Sequence, residues 1–416
     1  MSEARTISTF DPYSIPLEQL DLIRPDIFHH DKHVKIFERL RKEDPVFLQK
    51  DHELAGSFWN ITKYDDIMYV DTHHDEFSSD GSIVVDDQDE EFPLPMFIAM
   101  DPPKHDAQRK EVSPVVAPRN LAELEGTIRE RVKNILDSLP IGETINWVDL
   151  VSIELTTQML ATLFDFPFED RRKLTRWSDV ATADENSGII ENEDQRRAEL
   201  LECLEYFQKL WHERENDPNP GFDLVSMLAH GESTKDMDPV EYLGNLVLLI
   251  VGGNDTTRNS ITGGVNFLNM FPKEYDKLRA NPALIATMVP EIIRYQTPLA
   301  YMRRTALKDV ELRGKQIKKG DKVLMWYVSG NRDSDVIEDA DQFVIDRARP
   351  RNHLSFGFGI HRCMGNRLAE MQLRILWEEI VTRFDRIEVV DEPVMVNSPF
   401  VKGYSELYVI LHKKAP

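Results

Sequence analysis

One long helical run constrains this chain more than any other feature. From about Pro239 to Met270 the pattern is continuous, with Asp238 placed to cap it, Pro239 in the first turn and Glu241 at capping-box spacing. Pro272 follows its end. The centre of this helix reads Val251-Gly-Gly-Asn-Asp-Thr-Thr257. Two glycines cost about 1 kcal/mol each against alanine and the four polar residues about 0.5 each, so the stretch gives up about 4 kcal/mol of helix propensity. A glycine pair and a hydroxyl can open the hydrogen-bond ladder and form a groove. Such a groove would hold a small molecule and an ordered water, with Asp255 and Thr256 relaying protons towards it. A notch where another helix crosses would call for the same small residues.

Around this helix the chain reads as mainly helical (α+β), a single unit over 1–416 with a large helical part and a smaller strand-rich part. Helices are expected at His33–Glu43, Asp65–Thr72, in stretches from about 105 to 217, at Pro282–Gln296 and from Met364 to about Phe384. Strand-rich parts are expected near 46–62, 305–328 and 387–411, with individual strands at 305–312, 322–328, 387–390 and 406–411. Residues 76–99, rich in Asp, Ser and Pro, form a long loop, and a loop of that length inside a compact unit usually serves function. The acidic segment Glu185–Asp194 reads as an exposed, mobile connection.

The charge balance is strongly acidic, with 73 Asp and Glu against 50 Lys and Arg, for a net −23. That argues against nucleic acid or an anionic membrane as the main partner. The N-terminus lacks a basic stretch followed by an apolar run, so no signal peptide is expected. Leu246–Val251, the purest apolar stretch, is far too short to span a bilayer. A cytoplasmic monomer without a transmembrane anchor is the expected form. The chain has two cysteines, which excludes a disulfide framework and a four-cysteine zinc site. Cys203, in the helical pattern Leu-Leu-Glu-Cys-Leu-Glu-Tyr, is expected to be an inert core residue.

Cys363 has a different setting. It lies in Leu354-Ser-Phe-Gly-Phe-Gly-Ile-His-Arg-Cys-Met-Gly-Asn-Arg-Leu, where Gly357, Gly359 and Gly365 allow tight turns and close approach. It stands just before a helix, whose N-terminal amides and dipole favour a thiolate. Backbone N–H groups aimed at the sulfur would tune its electron donation. This is the chemistry of a single metal-bound thiolate, as a haem iron requires. The Phe356-Gly-x-Gly-x-His361-x-Cys363-x-Gly365 spacing resembles the haem-binding signature of the cytochrome P450 superfamily. The resemblance implies the cytochrome P450 fold, haem b held between the long distal helix and the cysteine loop, and Cys363 as the axial iron ligand.

It carries further implications residue by residue. Gly252-Gly-Asn-Asp-Thr256 is similar to the family's distal-helix motif, with Gly252 where alanine is commoner, which leaves more room beside the iron. Asp255 and Thr256 become the acid–alcohol pair of that motif. His105, Arg109, Arg303 and His361 match positions that bind haem propionates, and Phe356 and Gly365 lie in the haem-binding loop. Glu291 and Arg294, three apart on one helix, form with Arg347 a structural network holding the cysteine loop. Phe97, Ile98, Val251, Gly252, Leu299, Ala300, Phe400 and Val401 sit on segments that cover the distal face of the haem; for each, plain core packing is the competing reading.

Taken along the whole chain, the sequence is similar to the bacterial class I alkane and fatty-acid terminal-hydroxylase branch. That implies insertion of one oxygen atom of dioxygen into an unactivated C–H bond of a small hydrophobic substrate. No flavin or iron–sulfur motif is present, so electrons must come from NAD(P)H through an external reductase and ferredoxin. Five arginines and no acid between Arg347 and Arg367 would suit an acidic donor. Three alternatives stay open: a bulkier terpenoid, aromatic or steroid substrate, a peroxide-driven enzyme, and a non-catalytic haem protein. The acid–alcohol pair disfavours the second, and a proton relay and docking patch would be superfluous in the third.

Overall fold

The computed structural model describes residues 10–183 and 188–414. The helices are α1 (Lys32–Glu43), α2 (Tyr64–Thr72), α3 (Lys104–Val112), α4 (Pro118–Asp137), α5 (Glu154–Phe164), α6 (Arg172–Thr182), α7 (Glu193–Arg214), α8 (Leu224–His230), α9 (Pro239–Met270), α10 (Pro272–Ala280), α11 (Ile285–Gln296), α12 (Tyr327–Gly330) and α13 (Asn366–Arg383). The strands are β1 (Val46–His52), β2 (Gly56–Ile61), β3 (Phe77–Ser78), β4 (Thr144–Asn146), β5 (Met302–Ala306), β6 (Val310–Leu312), β7 (Lys315–Ile317), β8 (Lys322–Met325), β9 (Phe384–Val389), β10 (Val394–Met395), β11 (Tyr404–Glu406) and β12 (Tyr408–Lys413).

Helix α9 is the axle of the helical part. It packs on α5, α6, α7, α11 and α13, and it is buried on nearly every side from Glu241 to Leu268. Asp238 caps it by accepting from the amides of Val240 and Glu241, each at 2.9 Å. The Glu241 carboxylate does not reach back to complete a capping box. It turns instead to Lys104 at 2.8 Å and to Gln108, fastening α9 to α3. The expected bounds of α9, Pro239 and Met270, are those observed.

The strand-rich part centres on a five-stranded sheet ordered β1-β2-β8-β5-β3, in which only β2 and β8 run parallel. A second sheet, β4-β12-β9, flanks the helical body, and β6-β7 and β10-β11 are hairpins. Strand β5 begins earlier than expected, at Met302, and residues 327–330 form a helical turn where a strand was expected to run on. Residues 79–96 carry no helix or strand, as read from the sequence, and Phe97–Ala99 is a single 3-10 turn. Residues 185–187 of the acidic segment Glu185–Asp194 lie outside the described residues, as do 1–9, 184 and 415–416. Cys203 is fully buried, and burial pushes its thiol well up, in keeping with an inert core residue.

Candidate functional site

The cysteine loop joins the helical body to the sheet. Gly357 and Gly359 take φ of 63° and 64°, in the left-handed region, and a Cβ on Gly359 would stand 2.4 Å from the Asp71 carbonyl oxygen. A side chain at Gly359 is therefore excluded by space as well as by conformation. Gly365 has an ordinary φ of −84° and serves as the N-cap of α13, which starts two residues later than expected. A Cβ there would meet nothing within 4 Å. The Cys363 amide donates to the Phe356 carbonyl at 2.8 Å, folding the loop back on itself.

Cys363 opens on a chamber of about 620 Å³. Burial pushes the thiol up, while the amides of Gly365 and Asn366 and the guanidiniums of Arg109 and Arg362 pull it back towards thiolate. Phe356, His361 and Gly365 also line the chamber on this side. Opposite, α9 contributes Val251, Gly252, Gly253 and Thr256. A Cβ on Gly252 would meet nothing within 4 Å, so the glycine leaves open space over the cysteine side. Helix α9 runs through this stretch without a break, contrary to the expected opened ladder. The notch comes from missing side chains, and the Thr256 hydroxyl is satisfied within the helix by donating to the Gly252 carbonyl at 2.9 Å.

Asp255 does not share that face. Its side chain is 0% exposed and turned away from the chamber towards α6. It accepts from Ser178 at 3.0 Å and Thr182 at 3.3 Å, and it pairs with Arg258 at 3.1 Å. Arg258 in turn holds Asp179 at 2.7 Å, and Asp179 is partly open to solvent. Successive residues on a helix point about 100° apart, so neighbouring Asp255 and Thr256 face different surroundings.

Beside the cysteine loop several polar side chains converge. His105 and His361 lie with ring centroids 4.2 Å apart. Nε2 of His105 and both ring nitrogens of His361 are buried with no hydrogen-bond partner among the described residues. His105 itself is behind the chamber wall, with Nδ1 on Asp106 at 2.7 Å. Burial first, then the positive charges of Arg304, His105 and Arg109, push His361 down to about 2. Such a cationic cluster with orphaned donors is built for an anion.

Arg303, expected in this cluster, is absent from it. It points to the other face of β5, donates to the carbonyls of Val85 and Asp86 at 3.2 and 3.1 Å, and pairs with Asp87 at 2.8 Å. Arg304 lines the chamber instead. Side chains alternate across a strand, so a one-residue difference changes the face. The observed register, with Arg304 opposite Val323 of β8, fixes which arginine faces inward.

Six of the eight apolar or small wall residues expected over the cysteine line the chamber: Phe97, Ile98, Val251, Gly252, Leu299 and Phe400. Ala300 and Val401 do not. Residues 298–302 pair with 400–402 through the Ala300 amide on the Phe400 carbonyl (2.8 Å) and the Leu299–Val401 bridge. Alternation then sends Leu299 and Phe400 into the chamber and Ala300 into the core around Tyr301 and Trp326.

Glu291, Arg294 and Arg347 meet as expected. Glu291 accepts from Arg294 at 2.8 and 2.7 Å, from Arg347 at 3.0 Å and from the Val344 amide at 2.8 Å, with Glu291 and Arg294 fully buried. Arg294 also donates to the carbonyls of Asn331, Ala340 and Gln342 at 2.7, 2.8 and 2.8 Å. The link to the cysteine loop runs through Asn331, whose side chain holds the Leu354 amide at 2.6 Å and the Ser355 hydroxyl at 2.9 Å. Asn331 was not singled out from the sequence.

A single cysteine on a glycine-tight loop, a small-residue notch in a buried helix across from it and a cationic cluster beside it define a haem-thiolate protein. Comparison with known proteins agrees. Residues 274–409 match the family model for cytochrome P450. Over 412 residues the chain is 35% identical to linalool 8-monooxygenase of Pseudomonas putida, covering 96% of this chain and 100% of that protein. It is 32% identical to a methyl-branched lipid omega-hydroxylase of Mycobacterium tuberculosis, covering 98% of each. The solved structure of cytochrome P450-153 from Novosphingobium aromaticivorans superposes with a TM-score of 0.89 at 47% identity, over 94% of this chain and 99% of that one. The chain belongs to the cytochrome P450 family and is a monooxygenase of it.

The family implies haem, and the residues fit it. Cys363 offers the thiolate, Gly252 and Gly365 leave room on the two sides of the chamber, and the orphaned nitrogens of His105 and His361 with Arg109 and Arg304 suit two propionates. Among the described residues no helix is long and apolar enough to cross a membrane.

Proposed function

We propose that this enzyme hydroxylates saturated hydrophobic chains of medium length, alkanes or fatty acids, at or near the terminal methyl group. The observation that carries the reading is the wall of the chamber over Cys363, where Phe97, Leu160, Val247, Val251, Leu299 and Phe400 offer a chain-like molecule apolar contacts. The names of two relatives, a lipid omega-hydroxylase and cytochrome P450-153, are in keeping with it. A terpenoid substrate is the second reading, favoured by the match to linalool 8-monooxygenase.

Bound haem b supplies the reductive activation of dioxygen, so that substrate, dioxygen, two electrons and two protons yield the alcohol and water. The chain's own residues do the rest. Cys363 would hold the iron through its sulfur, and the amides at the start of α13 support the charge on that sulfur. His105, Arg109, Arg304 and His361 would hold the propionates, and the Phe356 carbonyl fixes the loop. Thr256 keeps a hydroxyl, and a water bonded to it, beside the reacting end of the substrate. Asp255 stands behind it as the buried member of a chain that reaches solvent through Arg258 and Asp179. Leu299 and Phe400 admit the chain end and exclude its flank.

Electrons enter from NAD(P)H through a reductase and a ferredoxin. Arg347 and Arg351 are engaged by Glu291 and Glu370, while Arg349, Arg362 and Arg367 are exposed around the cysteine loop for an acidic partner. The protein works in the cytoplasm as a monomer.

The test is gas chromatography of the alcohols formed from a series of n-alkanes, fatty acids and linalool with a surrogate redox pair. Terminal alcohols are expected to dominate, and Leu299→Ala to raise the subterminal fraction. About 1.4 kcal/mol of orientation preference is a tenfold product ratio, well within what positioning supplies. Mainly subterminal wild-type products, or a preference for linalool, would overturn the reading.

A further inference from the structure

Asp71, in the last turn of α2, belongs to no part of the site described so far except the chamber wall. Its side chain is only 2% exposed, yet it is fully engaged. Oδ1 accepts from Arg304 Nη2 at 2.9 Å. Oδ2 accepts from the Phe358 amide at 2.7 Å and from the Tyr327 hydroxyl at 3.2 Å. A Cβ on Gly357 would stand 3.3 Å from the same oxygen, and the Asp71 carbonyl closes the space over Gly359. Burial pushes this carboxyl up, while the Arg304 guanidinium, the Phe358 amide and the Tyr327 hydroxyl pull it back towards its ionised form.

These contacts tie together two features that sequence separates widely. On one side is Arg304, the arginine that lines the chamber beside His361. On the other is Phe358, five residues before Cys363 in the loop that carries the thiolate. The remaining carboxylates along the chamber, Asp86, Asp87, Asp89 and Glu193, lie away from this junction; Asp87, with its side chain 69% exposed, pairs with Arg303 and Lys322. A buried charge acts through a low dielectric and is poorly screened by salt.

We propose that Asp71 is a positioning residue that clamps the propionate-facing Arg304 and the cysteine loop to one another, and that its negative charge lowers the reduction potential of the haem iron. Arg304 would then be shared between Asp71 and a haem propionate. The loop is braced at Phe358 by the same group.

Asp71→Asn tests this, since it keeps the side chain's shape and removes its charge. The midpoint potential is expected to move to more positive values, because ferrous haem gains relative to ferric when a nearby negative charge is lost. Transfer of haem to apomyoglobin is expected to become several-fold faster, while the reduced carbon monoxide complex keeps its thiolate band. Asp87→Asn is the control and should leave the potential where it is. An unchanged potential in Asp71→Asn, or an equal shift in Asp87→Asn, overturns the proposal. Should Asp71→Asn fail to take up haem, Tyr327→Phe decides. It removes the partial positive charge of one donor and leaves the carboxylate's charge less screened, so the potential should move to more negative values; no movement, or movement the other way, overturns the proposal.

Discussion

Replacing Glu291 by alanine removes the one carboxylate that neutralises two arginines inside the protein. Five donors lose Glu291 as an acceptor: Nε and Nη2 of Arg294, Nε and Nη2 of Arg347 and the Val344 amide. Arg294 keeps three carbonyl partners but no counter-charge, at 0% side-chain exposure. Breaking a buried ion pair by deleting one partner costs about 3–5 kcal/mol, mostly the penalty of the charge left behind. Unfolding entropy of about 2.1 cal/mol/K per residue, over a chain of 416 residues, comes to about 0.9 kcal/mol/K. The thermal midpoint of the haem-loaded protein should therefore fall by about 3–6 °C by calorimetry. Arg351→Ala is the comparison, because its pair with Glu370 at 2.9 Å leaves the arginine 69% exposed. An exposed pair contributes about 0–1 kcal/mol, so its midpoint should move by about 1 °C at most. Equal shifts in the two variants, or a Glu291→Ala shift below about 1 °C, would refute the buried-network account.

Thr256→Ala should continue to consume NADH while forming less alcohol and more hydrogen peroxide per NADH, read by a peroxide assay beside product analysis; unchanged coupling counts against a proton-holding role for the hydroxyl. Arg362→Glu should slow ferredoxin-driven turnover several-fold and leave the carbon monoxide spectrum intact, and the wild-type rate should fall with ionic strength; a silent variant with a salt-independent rate rejects the docking site. Stability should decline as pH falls from about 6.5 towards 3, because burial depresses His33 and His353 to about 3 while the unfolded chain titrates near 6.5. Above about 6.5 both states are neutral at these positions and they contribute no slope. Thermal midpoints across that range should drop less steeply in His33→Gln, and identical slopes would show that His33 is not held neutral.

The parts of the site that could be read in the sequence are those fixed by neighbours along the chain. The cysteine loop, the weak centre of α9 and the Glu291–Arg294 spacing each depend on a handful of consecutive residues. Their chemistry follows from glycine conformations, helix propensity and a three-residue step on one helix. What the sequence left open is the phase of each element about its own axis. Asp255 and Thr256 were expected to work side by side, but the contact of α9 with α6 turns one into a buried ion-pair network and the other into the chamber. Arg303 and Arg304 differ only in which face of β5 they occupy, and that is decided by pairing with β8, some twenty residues further on. Ala300 and Val401 fell to the same alternation between two segments a hundred residues apart.

Asp71 shows the limit most sharply. In the pattern of α2 it is one more acid near the end of a short helix, and its partners Arg304, Tyr327 and Phe358 lie more than two hundred residues away. Local spacing gives no reason to single it out. Yet the two glycines that make the cysteine loop recognisable, Gly357 and Gly359, are the ones whose missing side chains let the loop close on Asp71. Part of the loop's glycine signature therefore records the approach of α2 as well as the tight turn, and the requirement for glycine at 359 comes from a backbone 288 positions earlier. A side chain introduced at Gly359 would force α2 and the cysteine loop apart, so the structure that presents the thiolate and the structure that holds Arg304 must be kept or lost together.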